Sequence, residues 1–141
     1  MTYALAWPLQ KAVHATLAAD PAVAALVAGR IWDAPPPLAG EAAPEGLYLT
    51  LGDESAEDWS TQTDRGAAHE IRIAVNAPRE GFAEAKQAAA AVCDALLGAG
   101  LAPERGHVIC LGFVSAETRR EQDGRMRRIL LRFRALVEDT P

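Results

Sequence analysis

The segment Asp123–Leu136, DGRMRRILLRFRAL, carries arginine at positions 125, 127, 128, 132 and 134, threaded through Ile129, Leu130, Leu131 and Phe133. Asp123-Gly124 is a strong two-residue hairpin signal, because these residue types accept the positive φ that such turns need. Side chains alternate faces along a strand. Arg127, Ile129, Leu131, Phe133, Ala135 and Val137 therefore share one face, which suits a core under helices. Arg128, Leu130, Arg132, Arg134 and Leu136 share the other, which is basic but not wholly polar. A mixed face of that kind is often covered by a partner subunit.

Folding back about Asp123-Gly124 pairs this strand with HVICLGFVSAETRREQ. The arithmetic brings Phe113 near Arg134, Ser115 near Arg132 and Glu117 near Leu130. Upstream, HEIRIAVNA alternates cleanly, with Ile71, Ile73 and Val75 on one side and Glu70, Arg72 and Ala74 on the other, a half-buried strand. GLYLTL reads as a further strand and RIWDA as a short one. Between GLYLTL and HEIRIAVNA, the polar and acidic GDESAEDWSTQTDRGAA reads as a long loop, and PPPLAGEAAPEG as another.

Helical spacing marks two long segments. Leu5, Leu9, Ala12, Val13, Thr16 and Leu17 form one stripe, with Gln10, Lys11 and His14 elsewhere on the wheel. From Glu80 to Leu97, Phe82, Ala85, Ala89, Val92 and Leu96 form another, closed by Gly98; its alanines let it lie close to a sheet. Asp20-Pro21 reads as an N-cap with proline at the first helical position, opening a short helix that ends near Gly29. The class is α+β: an antiparallel sheet of about four strands, two long helices on one face, a projecting hairpin and a long loop. Residues 1–141 make a single domain without internal repeats.

Composition narrows the function. The net charge is −5 over 141 residues, and the isoelectric point near 5.2 argues against a dedicated DNA-binding domain. The N-terminus lacks the basic and apolar regions of a signal peptide, and no run approaches a membrane span. A cytoplasmic protein without membrane contact is expected. Cys93 and Cys110 sit in apolar surroundings and read as buried free thiols.

His14, His69 and His107 fall on three elements without ligand spacing, so structural or surface roles are expected. The acidic cluster lacks the alternation and central glycine of an EF-hand loop. No nucleophile elbow, P-loop or dinucleotide fingerprint is present. No catalytic, cofactor-binding or metal-binding residue is expected. What remains is two patches of opposite sign. Asp53, Glu54, Glu57 and Asp58 with Trp59 form the first; Arg119, Arg120, Arg125, Arg127, Arg128, Arg132 and Arg134 form the second. These are the candidate contacts to a neighbouring subunit or a tube, since tryptophan and arginine are enriched at interface hot spots.

The order of motifs resembles a known family. LQKAVHATLAADPAVAALVAGRIWDAPP is followed by YLTLGDESAEDWSTQT, a glycine and histidine before an alternating strand, an alanine-rich helix and a final DGRMRRILLRFRALVE. This is similar to small tailed-phage proteins that include tail-completion and tail-terminator proteins, above all those of gene transfer agents, the phage-like particles of alphaproteobacteria. The resemblance spans nearly the whole chain, and DWSTQT and DGR…RFRAL are its most specific pieces. It implies a structural role: a hexameric ring that caps the head-proximal end of the tail tube, ends its polymerisation and offers a surface to the head-tail connector. DNA would pass through the ring without sequence-specific binding, and the protein would move from the cytoplasm into the particle. A head-side adaptor is the nearest alternative, and a DNA-binding regulator using the arginine face is a more distant one.

Overall fold

The chain orders three helices and five strands: α1 (Ala6–Ala19), α2 (Pro21–Val27), β1 (Ile31–Trp32), β2 (Tyr48–Asp58), β3 (Gly66–Ala77), α3 (Phe82–Gly98), β4 (His107–Glu121) and β5 (Met126–Glu138). The structure is a computed structural model that describes residues 3–33, 46–60, 65–78, 82–98, 100–121 and 126–139. The strands form one sheet in the order β1-β2-β3-β5-β4. All neighbours are antiparallel except β1, which runs parallel to β2 through Ile31–Leu49 and Trp32–Thr50.

β5 lies inside the sheet with both edges paired. Ile129, Leu131, Phe133, Ala135 and Val137 are buried, as their alternation requires. They sit opposite Val75, Ile73, Ile71, His69 and Ala67 of β3. Helices cover this face. α1 buries Leu5, Leu9, Val13 and Leu17 at four-residue spacing, and α3 buries Ala85, Ala88, Ala89, Val92, Ala95 and Leu96 in the same core. The small alanines allow close approach of α3 to the sheet. The Asp20 Oδ1 accepts the backbone N–H groups of Ala22 and Val23, which caps α2. That helix closes with Ala28 and Gly29 at φ 50° and 78°, where glycine is the residue that adopts the left-handed conformation without strain.

Three expectations change. The sheet has five strands instead of about four, because RIWDA does pair, if only for two residues. The long acidic loop is mostly strand: β2 continues to Asp58 and pairs with β3 through Asp58–Ala67. Polar composition suggested a loop because it reports exposure; backbone pairing needs no apolar side chains. A bulge between Leu51 and Glu54 re-aims the acidic half of the strand.

The hairpin also does not project. β5 is paired with β3 from Arg127 to Glu138, and its pairing with β4 ends only one position beyond, at Met126–Glu121. The fold-back arithmetic holds for Ser115–Arg132 and Glu117–Leu130. A bulge between Phe113 and Ser115 then shifts the register, so Phe113 faces Phe133 and Gly112 faces Arg134.

Phe133 is fully buried and meets Phe113 edge-on, with ring centroids 6.0 Å apart. Phe133→Ala is expected to destabilise the fold by about 3–5 kcal/mol, read as a shift of the urea midpoint with an unchanged slope. Phe113→Ala, at an exposed edge, is expected to cost well under half of that.

Candidate functional site

Opposite the helices, the sheet presents a face with no described element packed over its middle. Its residues come from four strands in register: Thr50, Ser55 and Glu57 on β2; Glu70, Arg72, Ala74 and Asn76 on β3; Arg128, Leu130, Arg132, Arg134 and Leu136 on β5; Gly112, Ser115, Glu117 and Arg119 on β4. The arginines therefore share this face, as their spacing requires. Most of them are already paired. The Arg128 Nε donates to Asn76 Oδ1 at 2.7 Å, and its Nη1 lies 2.7 Å from the Glu121 carboxylate. Arg132 pairs with Glu70, which also lies 3.3 Å from Arg72. Arg72 and Arg132 are direct cross-strand neighbours, so the Glu70 carboxylate offsets a like-charge contact. The hydrogen bond from Arg132 holds that carboxyl below its usual range.

Asn76 organises the buried end of the face. It is fully buried, and its amide donates to the Tyr48 carbonyl, the Thr50 hydroxyl and the Ala74 carbonyl while its oxygen accepts a hydrogen bond from Arg128 Nε. Tyr48, packed 5.5 Å from the Trp32 ring, closes the same corner. Sequence reading missed Asn76 because an asparagine inside an alternating strand shows no signal until its partners, up to 52 residues away, are known.

The first predicted patch does not act as one cluster. Glu54 lies on the helix side of the sheet and accepts the Tyr3 hydroxyl at 2.5 Å. Tyr3 also stacks on His69, 6.4 Å between centroids. Asp58 accepts from Ser60 Oγ at 2.7 Å, and that bond lowers its pKa. Trp59 donates its backbone N–H to Gly66, and its indole packs against Gly66 so closely that a Cβ there would come within 3.2 Å. The residue is still 47% exposed. Asp53 and Glu57 remain exposed and form no ion pair among the described residues.

The second patch divides as well. Arg127 lies on the helix side, its guanidinium 5.8 Å from the Phe82 ring centre. Arg119 meets Glu117 of its own strand at 3.2 Å. Arg120 and Arg134 carry no ion pair among the described residues. Arg125 lies outside the described residues. Two further features had no sequence signal. β4 is an edge strand without a single buried residue, and it exposes Ile109, Phe113 and Val114 at 46%, 49% and 48%. Beside α1, Trp7, Lys11, His14, Ile31, Trp32 and Leu51 line a groove of about 440 Å³.

Cys110, expected to be buried, is exposed on β4, and Cys93 is only partly covered; neither is in a disulfide. A strand at the sheet border lacks a second neighbour, so its apolar residues do not imply burial. Of the structural and surface roles expected for the histidines, His69 takes a buried one: it is fully buried, and both ring nitrogens lack a hydrogen-bond partner among the described residues. Burial pushes its pKa down, against a smaller opposing effect of Glu54. Among the described residues no group of three or more His, Cys, Asp and Glu is placed to hold a metal, and no helix is long and apolar enough to cross a membrane.

Comparison with known proteins agrees with this structural picture. The family described as "Tail completion protein gp17" matches residues 11–138. A chain of the solved structure "Virion of native gene transfer agent (GTA) particle" is similar over 97% of this chain and 99% of that one, with 47% identity and a TM-score of 0.86. No curated protein matches.

Asn76→Ala removes four hydrogen bonds from a fully buried position. It is expected to cost about 1–3 kcal/mol, measured by chemical denaturation. The depressed pKa of His69 means that the unfolded chain binds a proton more readily than the folded one. Its contribution is present above the ordinary histidine pKa of about 6.5 and is lost as pH falls through the lower folded value. His69→Leu is therefore expected to flatten the loss of stability between neutral pH and mildly acid pH, seen in melts across that range.

Proposed function

The chain belongs to the tail completion protein gp17 family, and from that membership we propose that it is a structural, non-catalytic component of a phage-like particle of the gene transfer agent kind. In this reading it caps the head-proximal end of the tail tube as a six-membered ring, ends polymerisation of the tube protein and presents a surface to the head-tail connector. DNA passes through the ring without being read.

The observation that carries this reading is the similarity to a chain of the gene transfer agent virion over nearly the full length of both chains. The charge pattern supports it too. Arg72, Arg119, Arg128 and Arg132 are each committed to a carboxylate of the same chain. A protein that bound DNA through this face would keep those charges for phosphates. The fold also offers two unlike borders, the acidic half of β2 and the long β4, and unlike surfaces are what a closed ring joins.

Deleting the gene and imaging the particles by electron microscopy tests the reading. Overlong or unjoined tails beside normal heads are expected. Tubes of normal length with no head attached would move the protein to the head side of the joint, and unaltered particles would overturn the structural role.

A further inference from the structure

The sheet ends in two borders with unused hydrogen-bonding capacity. On one side, β4 pairs only with β5, so its outer edge is open over 15 residues among those described. Proteins that stay monomeric blunt such edges with prolines, short strands or charges. β4 has no proline, and its His107–Ser115 half exposes Ile109, Phe113 and Val114; its two bulges, after Val108 and after Phe113, lie in that half and leave Ser115–Glu121 regular. On the other side, β1 covers β2 only at Leu49 and Thr50. Residues 51–58 of β2 have no outer strand among the described residues.

Charge makes the two borders complementary. Asp53 and Glu57 project from the open part of β2 without an ion pair among the described residues. Arg120 is likewise unpaired, and Arg119 has only Glu117, two residues along its own strand. Two β2 borders would bring acid against acid; a β4 border against a β2 border brings base against acid. The strand directions also agree. β2 and β5 run one way, β3 and β4 the other, so a second copy continuing the sheet sets its β4 antiparallel to β2.

We propose that the occupant of each border is a second copy of this chain: the β4 edge of one subunit adds to the open β2 edge of the next, with Arg119 facing Asp53 and Glu57 across the open face and Arg120, on the helix side of the same edge, adding to the basic border. Backbone hydrogen bonds supply affinity and the charges supply register. Within one sheet Arg119 is level with Arg128, Asn76 and Tyr48. Bringing it to Asp53 and Glu57 therefore staggers the copies along the strand direction, which carries Phe113 and Val114 toward the half-exposed Trp59. Arg127 and Arg128 are excluded as joint residues, since one stacks near Phe82 and the other holds Asn76; their replacement weakens the fold itself.

This inference rests on the ring reading and specifies its joint. The test uses the full chain, with native mass spectrometry over a concentration series, with and without purified tail tubes. Arg119→Glu with Arg120→Glu, and separately Asp53→Lys with Glu57→Lys, are expected to raise the concentration needed for assembly by about ten- to a hundredfold. The combined four-residue exchange is expected to restore it. Thermal melts check that each variant is folded, and all four positions are exposed, so no buried side chain is replaced. On assembly of the unaltered chain, amides within 114–121 and 51–58 are expected to gain protection from hydrogen exchange. Unimpaired assembly of the two double variants, or no rescue in the combined one, overturns this joint and leaves the ring standing. An unaltered chain that stays monomeric at every concentration, with tubes present, overturns the ring reading as well.

Discussion

Everything in this fold is referred to one strand. β5 is paired along both edges, with β3 from Arg127 to Glu138 and with β4 from Met126 to Glu138, and its side chains alternate between a helix-covered core and an open polar face. A slip of one residue would turn Arg128, Arg132 and Arg134 inward and expose Ile129, Leu131 and Phe133. That penalty, several buried charges against several lost apolar contacts, fixes the register of β5 and through it the register of its neighbours. The two helices have only to fit the apolar face this creates. A stripe of Leu5, Leu9, Val13 and Leu17 and a ridge of alanines from Ala85 to Ala95 do so.

The open face is held by neutralisation instead of burial. Exposed ion pairs contribute little stability one by one, and those around Glu70 and Arg72 belong to that class. Their consequence is electrostatic: a face that looks strongly basic along one strand is partly neutralised by Glu70, Glu117 and Glu121 of the strands beside it. Asn76 has a different part. It is buried, meets four partners, and ties β2, β3 and β5 at the end where the Tyr48 and Trp32 rings pack. The sheet therefore has a closed, polar-locked end and two open borders; among the described residues, Asp53, Glu57 and Arg120 carry no ion pair and stand at those borders, while Arg134, also without one, lies inside the sheet. At those two borders, open backbone edges and unpaired charges coincide.

The sequence itself determined what depends on local periodicity. The alternation of β3 and β5, the four-residue stripe of α1, the alanine face of α3 and the Asp20-Pro21 start of α2 each follow from residues a few positions apart, and the structure realises all of them. The separation of arginines from apolar residues on β5 was legible for the same reason. Only the tertiary structure decided that the acidic segment is the second half of β2, that a bulge displaces Phe113 by one partner, that Cys110 is exposed while His69 is buried, and which arginines are spent. Those outcomes depend on hydrogen bonds and ion pairs that join residues as far apart as Arg132 and Glu70, 62 positions in sequence. Backbone pairing across such a distance leaves no periodic trace in either partner, so it becomes visible only when the strands are brought side by side.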